Sequence, residues 1–253
     1  MAGRYQPHLR VQCGEPDGAR LWPLSNLRSA RGIARTPRIP AMNATRIIAT
    51  RHGETAWNVD TRIQGHLDIP LNDMGRWQAQ RLGAALAGED IARVYASDLG
   101  RAHQTAQAVA DTAGLEVVSD TGLRERAFGI FEGRTFAEIE AEWPEQALRW
   151  RKRDPAFEPE GGESLLRFRE RIVATLDRLA AAHPGEQIVL VGHGGVMDVL
   201  YRAATGQALQ APRTWALGNA AINRLLWTPE GVTLVGWADT GHLDAATLDE
   251  SST

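Results

Sequence analysis

Two short apolar runs, residues 47–50 and 187–191, each end on a histidine set among glycines. Arg51-His52-Gly53-Glu54-Thr55 follows the first and Gly192-His193-Gly194-Gly195 follows the second. Apolar runs of this length read as buried strands. Glycine at the strand end lets the backbone turn tightly or approach a ligand closely. In an open α/β sheet, ligands bind in the crevice beyond the carboxyl ends of the strands. Two such blocks, far apart in the chain, predict one site assembled from distant segments.

The remaining pattern agrees with such a sheet. Residues 46–50 read as a strand. Asn72 or Asp73 can cap a helix running to about Ala87, with Gly88 ending it. A strand at 94–96 is followed by a helix at 100–113, with Gly114 in the stop position, and by a short strand at 116–118. Thr135-Phe136-Ala137-Glu138 is a capping-box signature. It opens a helix to about Trp143, stopped by Pro144. Residues 164–182 read as a long amphipathic helix with Leu165, Phe168, Ile172, Leu176 and Leu179 on one face. A helix at 196–205 precedes two strands, 221–227 and 232–237, that flank Thr228-Pro229-Glu230-Gly231 as a hairpin. Strands alternating with helices predict an α/β fold, a three-layer α/β/α sandwich on a mostly parallel sheet. The domain is expected over 43–243, with a polar tail at 244–253.

Residues 1–42 show no period and carry Pro16, Pro23, Pro37 and Pro40. A disordered extension is expected there. Three readings stand open: an Arg-rich targeting arm, a translation start at Met42 that leaves the arm unmade, and a nonspecific tail. Seven arginines against Glu15 and Asp17 give residues 1–41 a net charge of +5. The remainder holds 21 basic and 29 acidic groups, a net of −8. A body this acidic argues against nucleic acid as a partner. No apolar run approaches the ~20 residues that span a bilayer, so no membrane partner is expected. The single cysteine, Cys13, excludes an internal disulfide and a Cys-based zinc site, and a cytoplasmic location is the simplest expectation. Monomer and homodimer both remain open.

Breaking a phosphomonoester needs cations for about two negative charges, a nucleophile in line and an acid for the leaving oxygen. Each has a candidate. Arg51 offers fixed charge and fork geometry for phosphate oxygens, and the adjacent His52 offers a nucleophilic imidazole. Asn58 can donate an amide hydrogen bond. Arg101, in Ser97-Asp98-Leu99-Gly100-Arg101-Ala102, falls in the first turn of a helix, where backbone N–H groups also favour anions. Glu125 follows Leu123-Arg124, and His193 with Gly194 closes the set. Glu125 could instead be a salt-bridge member between Arg124 and Arg126, and Asn58 a turn residue. His66, His103 and His183 are read as structural. Trp143, Trp150, Trp215 and Trp227 are read as core or cleft wall.

This set, in this order, resembles the histidine phosphatase superfamily, also called phosphoglycerate mutase-like. The likeness covers about residues 45–240. It implies that His52 is transiently phosphorylated and that Arg51, Arg101 and His193 bind the phosphoryl group with Asn58 assisting. Glu125 would protonate the leaving group and then activate water. Gln64 and Gly65 match a segment lining the substrate entrance in relatives. No metal and no cofactor are implied. The physical requirements follow. Glu125 must enter as the neutral acid, which calls for burial or anionic neighbours. His52 must stay neutral, its tautomer fixed by a hydrogen bond, with a backbone carbonyl near Gly53 as the expected partner. A protonated His193 would help to offset the transferring charge.

Within that family the segment after Glu125 separates two reactions. Arg126-Ala127-Phe128-Gly129-Ile130-Phe131-Glu132-Gly133-Arg134 is compact and resembles the phosphatase branch, whereas cofactor-dependent mutases carry a longer, basic insertion there. Pro159-Glu160-Gly161-Gly162-Glu163-Ser164 fits the same branch. Phe128 and Phe131 suggest a partly apolar pocket, and loops 143–163 and 206–219 are expected as its walls. The reading is a metal-independent hydrolase of a small phosphorylated metabolite. The alternatives are a phosphoglycerate mutase and, third, a silent binding protein on the same fold.

Overall fold

A computed structural model describes residues 44–244. The expectations for residues 1–42 and for the tail beyond Asp244 lie outside the described residues. Strands β1 (Thr45–Arg51), β2 (Arg93–Ala96), β3 (Val117–Ser119), β4 (Gln187–Gly192), β5 (Ile222–Thr228) and β6 (Gly231–Asp239) form one sheet. Its order is β3-β2-β4-β1-β5-β6. The first four positions pair in parallel, and the β5–β6 hairpin joins antiparallel to β1. The helices are α1 (Ala56–Val59), α2 (Asp73–Leu86), α3 (Gly100–Ala113), α4 (Phe136–Glu142), α5 (Pro144–Arg151), α6 (Leu165–Ala181) and α7 (Gly194–Thr205). No helix among the described residues is long and apolar enough to cross a membrane.

Strand alternation sorts the apolar side chains into two cores. Ile47, Ala49, Ile188 and Leu190 pack with Phe168, Ile172 and Leu176 of α6 and with α7. Ile48, Val189 and Val191 face the other way, onto α2 and α3. Helices on both faces explain why β4 is buried along its whole length and reads as an unbroken apolar run. A third cluster of Phe131, Ile139, Ala147 and Phe157 lies apart from these two. It ties α4 and α5 to the segment that follows Glu125.

Local chemistry sets the ends. The Asn72 side chain accepts from the Gly75 N–H at 2.8 Å and caps α2. Gly114 adopts φ 67° and closes α3, the left-handed stop that glycine permits. The Thr135–Glu138 capping box opens α4 as the sequence predicts. Pro144 does not merely stop that helix: it is the first residue of α5. Its fixed φ suits that position, where a missing N–H leaves no helical bond unmade. Helix α7 begins at Gly194, earlier than its apolar pattern suggests, with His193 in the N-cap position.

Candidate active site

Strand register builds the site. Arg51 of β1 pairs with Gly192 of β4, and the His52 N–H donates to the Gly192 carbonyl at 2.9 Å. The next residues on the two parallel strands, His52 and His193, therefore leave the sheet side by side. Their rings meet edge to face, centroids 5.2 Å apart. Beside them, the Ser97 N–H donates to the Val191 carbonyl and the Asp120 N–H to the Ala96 carbonyl. The segments carrying Arg101 and Glu125 thus emerge at the same edge.

His52 is buried, and its Nδ1 lies 2.7 Å from the Gly53 carbonyl. A carbonyl only accepts, so Nδ1 carries the proton and Nε2 keeps its lone pair. The expected partner for the tautomer is the one found. Burial, then the charges of Arg51 and Arg101, hold the His52 pKa well below its usual value. The ring is neutral at pH 7. The Asn219 amide donates to the His52 carbonyl at 2.8 Å and holds the turn.

Arg101 is fully buried and Arg51 partly so, and burial lowers the pKa of both while Glu125 raises it. One Arg51 Nη donates to the Leu217 carbonyl at 2.8 Å. Arg101 donates to the Leu67 and Gly65 carbonyls at 2.7 and 2.8 Å. The Nε of each, and both ring nitrogens of His193, are buried without a hydrogen-bond partner among the described residues. Polar groups buried in this state call for a ligand or an ordered water. They are grouped on guanidinium and imidazole, the groups that an oxyanion would satisfy.

The Asn58 Oδ1 accepts from the Thr55 N–H at 3.1 Å and completes the capping box of α1. Asn58 is therefore a turn residue as well as a candidate ligand. None of its side-chain bonds among the described residues uses the amide nitrogen.

Among the described residues Glu125 makes no salt bridge. Arg124 pairs instead with Asp98 at 2.7 and 2.5 Å, and the Arg126 side chain reaches the Glu163 and Phe157 carbonyls. Burial pulls the Arg126 pKa down to about 10. The Glu125 Oε1 accepts from the Arg126 N–H at 2.8 Å and Oε2 from the Gly195 N–H at 2.9 Å. Backbone donors, not carboxylates, meet its oxygens.

Several expectations need correction. Burial, then the charge of Arg101, hold the His193 pKa well below the usual value, which opposes the protonated form expected of it. The first N–H of α3 does not await an anion, because the Gly100 N–H donates to Asp68 at 2.7 Å. Arg101 itself supplies the charge. Gly65 acts through its carbonyl on Arg101, and Gln64 is buried with its Oε1 unpartnered among the described residues. Phe131 belongs to the third core rather than to a pocket. His66 is structural, as read: its Nε2 lies 2.8 Å from the Glu125 carbonyl oxygen. His183, bonded to Tyr95 and Glu186, is structural.

Sequence reasoning also missed positioning groups. Arg171 grips the Gly122, Arg124 and Glu125 carbonyls while paired with Glu163 at 2.7 and 2.9 Å. Gly195 holds Glu125 through its N–H, and a Cβ there would stand 2.1 Å from Oε1. The doubled glycine after His193 was its only sequence signal; Arg171 and Asn219 had none. Gly194 lies against Arg51, with room for a Cβ at 3.5 Å from Nε. Among the described residues no group of three or more His, Cys, Asp or Glu converges as metal ligands would.

Fold and site together define an α/β protein whose cleft gathers two buried histidines, the buried Arg101 and the partly buried Arg51. A sequence profile of the histidine phosphatase superfamily (branch 1) matches residues 47–240. The chain therefore belongs to the histidine phosphatase superfamily. It is 41% identical over 203 residues to phosphoglycerate mutase-like protein 4 of Arabidopsis thaliana, covering 78% of this chain and 86% of that protein. A solved mycobacterial glucosyl-3-phosphoglycerate phosphatase, in complex with VO3, aligns with TM-score 0.68 and 33% identity over 77% of this chain and 99% of that one. Phosphoserine phosphatase from Entamoeba histolytica, in complex with 3-phosphoglyceric acid, aligns with TM-score 0.71 and 29% identity over 79% and 100%.

Proposed function

We propose that the protein hydrolyses a small phosphomonoester, without a metal, through a phosphohistidine at His52. The observation that carries this reading is the His52 ring, neutral and tautomer-locked by the Gly53 carbonyl, with the orphaned donors of Arg51, Arg101 and His193 around it. In the first step Nε2 attacks phosphorus, the P–O ester bond breaks, and the leaving oxygen takes the Glu125 proton. In the second step water attacks phosphorus, the P–N bond to His52 breaks, Glu125 takes the water's proton, and inorganic phosphate leaves. Arg51 and Arg101 neutralise the transferring group in a buried site, where such charges act strongly.

The compact segment after Glu125 supports hydrolysis over isomerisation. It turns at Gly129–Phe131, bridges Phe128 to Gly162 and buries Phe131. Mutase chemistry is the second reading, favoured by the name of the Arabidopsis relative. Phosphate release from a panel of esters, beside 3-phosphoglycerate isomerisation with 2,3-bisphosphoglycerate added, separates the two. His52→Ala should abolish turnover and the acid-labile phosphoenzyme seen after quenching with a radiolabelled ester. Substantial activity in that variant refutes the mechanism. Rapid isomerisation with little phosphate release selects the mutase.

A further inference from the structure

A second pocket, of about 210 Å³, opens on Glu125. At roughly 30 Å³ per water it could hold about seven waters, and so an alcohol from a three-carbon acid to a small sugar. Phe128, Trp150, Phe168 and Leu209 give it apolar walls, and Arg126, Arg153, Arg213 and Asp198 give it polar ones. Loops 143–163 and 206–219 thus contribute walls as their positions in the sequence suggest.

Most of these polar groups are committed. Arg153 donates to Asp198 Oδ2 and to the Leu209 carbonyl, each at 2.7 Å. Arg202 donates to the same Oδ2 at 3.0 Å, to the Ala211 carbonyl at 2.9 Å and to the Ala208 carbonyl. Arg126 is held by two backbone carbonyls. Arg213 differs. It is exposed, lines the pocket, and makes no hydrogen bond or ion pair with another described residue. Its charge is felt at Arg51. Asp198 Oδ1 is the second open group: the residue is 6% exposed and this oxygen is buried without a partner. Two arginines already share Asp198, so the pocket keeps an excess of positive charge at Arg213.

Resting on the phosphatase reading, we propose that this pocket holds the leaving alcohol and that Arg213 selects esters whose alcohol carries a second anionic group, a carboxylate or another phosphate. Asp198 Oδ1 accepts a hydroxyl of the same alcohol. The loop just before Arg213 is pinned through Arg153 and Arg202, which holds its backbone beside the pocket.

The test is kcat/KM for 3-phosphoglycerate, 1,3-propanediol bisphosphate and glycerol 3-phosphate, measured in the wild type and in Arg213→Ala and Arg213→Lys. The first two carry a carboxylate and a second phosphate; the third leaves an uncharged alcohol. The wild type should prefer at least one anionic ester over glycerol 3-phosphate. Arg213→Ala should shrink that preference by about tenfold or more, the worth of one charge-assisted contact, mainly through KM. Arg213→Lys should keep part of it. Whichever ester shows the larger loss identifies the anion. No preference in the wild type, or an equal loss on all three esters, overturns the assignment. If no ester is hydrolysed, the phosphatase reading fails separately. Calorimetric binding of 3-phosphoglycerate and glycerol 3-phosphate to the same proteins then decides. Tighter binding of the acid that Arg213→Ala removes supports the role, and equal binding overturns it.

Discussion

Gly195→Ala isolates the support of Glu125 from Arg51, Arg101 and His193. An added Cβ would lie 2.1 Å from Glu125 Oε1 and 3.0 Å from a ring carbon of Phe168. The carboxylate must swing away, and the 2.9 Å bond from the Gly195 N–H to Oε2 is lost. A hydrogen bond to a charged group is worth about 1.5–3 kcal/mol. If that support is used in the transition state, kcat falls by roughly 10- to 150-fold. Arg51, Arg101 and His193 are not displaced, so KM should change little. Alanine in the first turn of α7 gains up to ~1 kcal/mol of helix propensity, which offsets part of the crowding and keeps the protein folded. The assay compares an alkyl phosphate, whose leaving oxygen needs a proton, with p-nitrophenyl phosphate, whose leaving oxygen does not. The alkyl ester should lose far more, the same signature expected of Glu125→Gln. An equal loss on both esters, or none on the alkyl ester, would refute the argument that Gly195 positions an acid.

Two further predictions concern stability. His52 and His193 bind protons less readily in the folded protein than in the unfolded chain. Below about pH 6.5 the unfolded chain protonates first, so stability falls as pH drops through the window between that value and the depressed folded ones. The slope is at most about 1.4 kcal/mol per pH unit for each histidine. Urea midpoints across this window should fall with acid and fall less in His193→Asn; a wild-type midpoint that held constant would contradict the burial argument. Ile172 is fully buried between α6 and the sheet, so Ile172→Ala should cost about 2–5 kcal/mol. A chemical-denaturation loss well under that range would mean the core collapses around the gap.

The sheet and the two histidines were legible because both rest on short-range signals. Apolar runs ending in glycine mark strand ends, and a parallel sheet gathers those ends at one edge. The His52 tautomer was legible for a similar reason, since its partner is the next residue. Phe128 and Phe131 show where this stops: one lines the pocket and the other fills a core, although they sit three residues apart in the same segment. Pro144 shows it too, because the same residue can close one helix or open the next.

From the sequence alone come the strands, the order of the site segments and the residue types able to hold and transfer a phosphoryl group. Tertiary structure alone decided that Gly195 holds Glu125 across 70 residues, that Asn219 braces the His52 turn across 167, and that Asp198, Arg153 and Arg202 anchor the loop before Arg213. It also decided the lowered pKa of His193, because burial and the nearness of Arg101 exist only after folding. Periodicity and caps are set by neighbours in the chain. Burial, long-range hydrogen bonds and the field of distant charges are set by what the fold brings together.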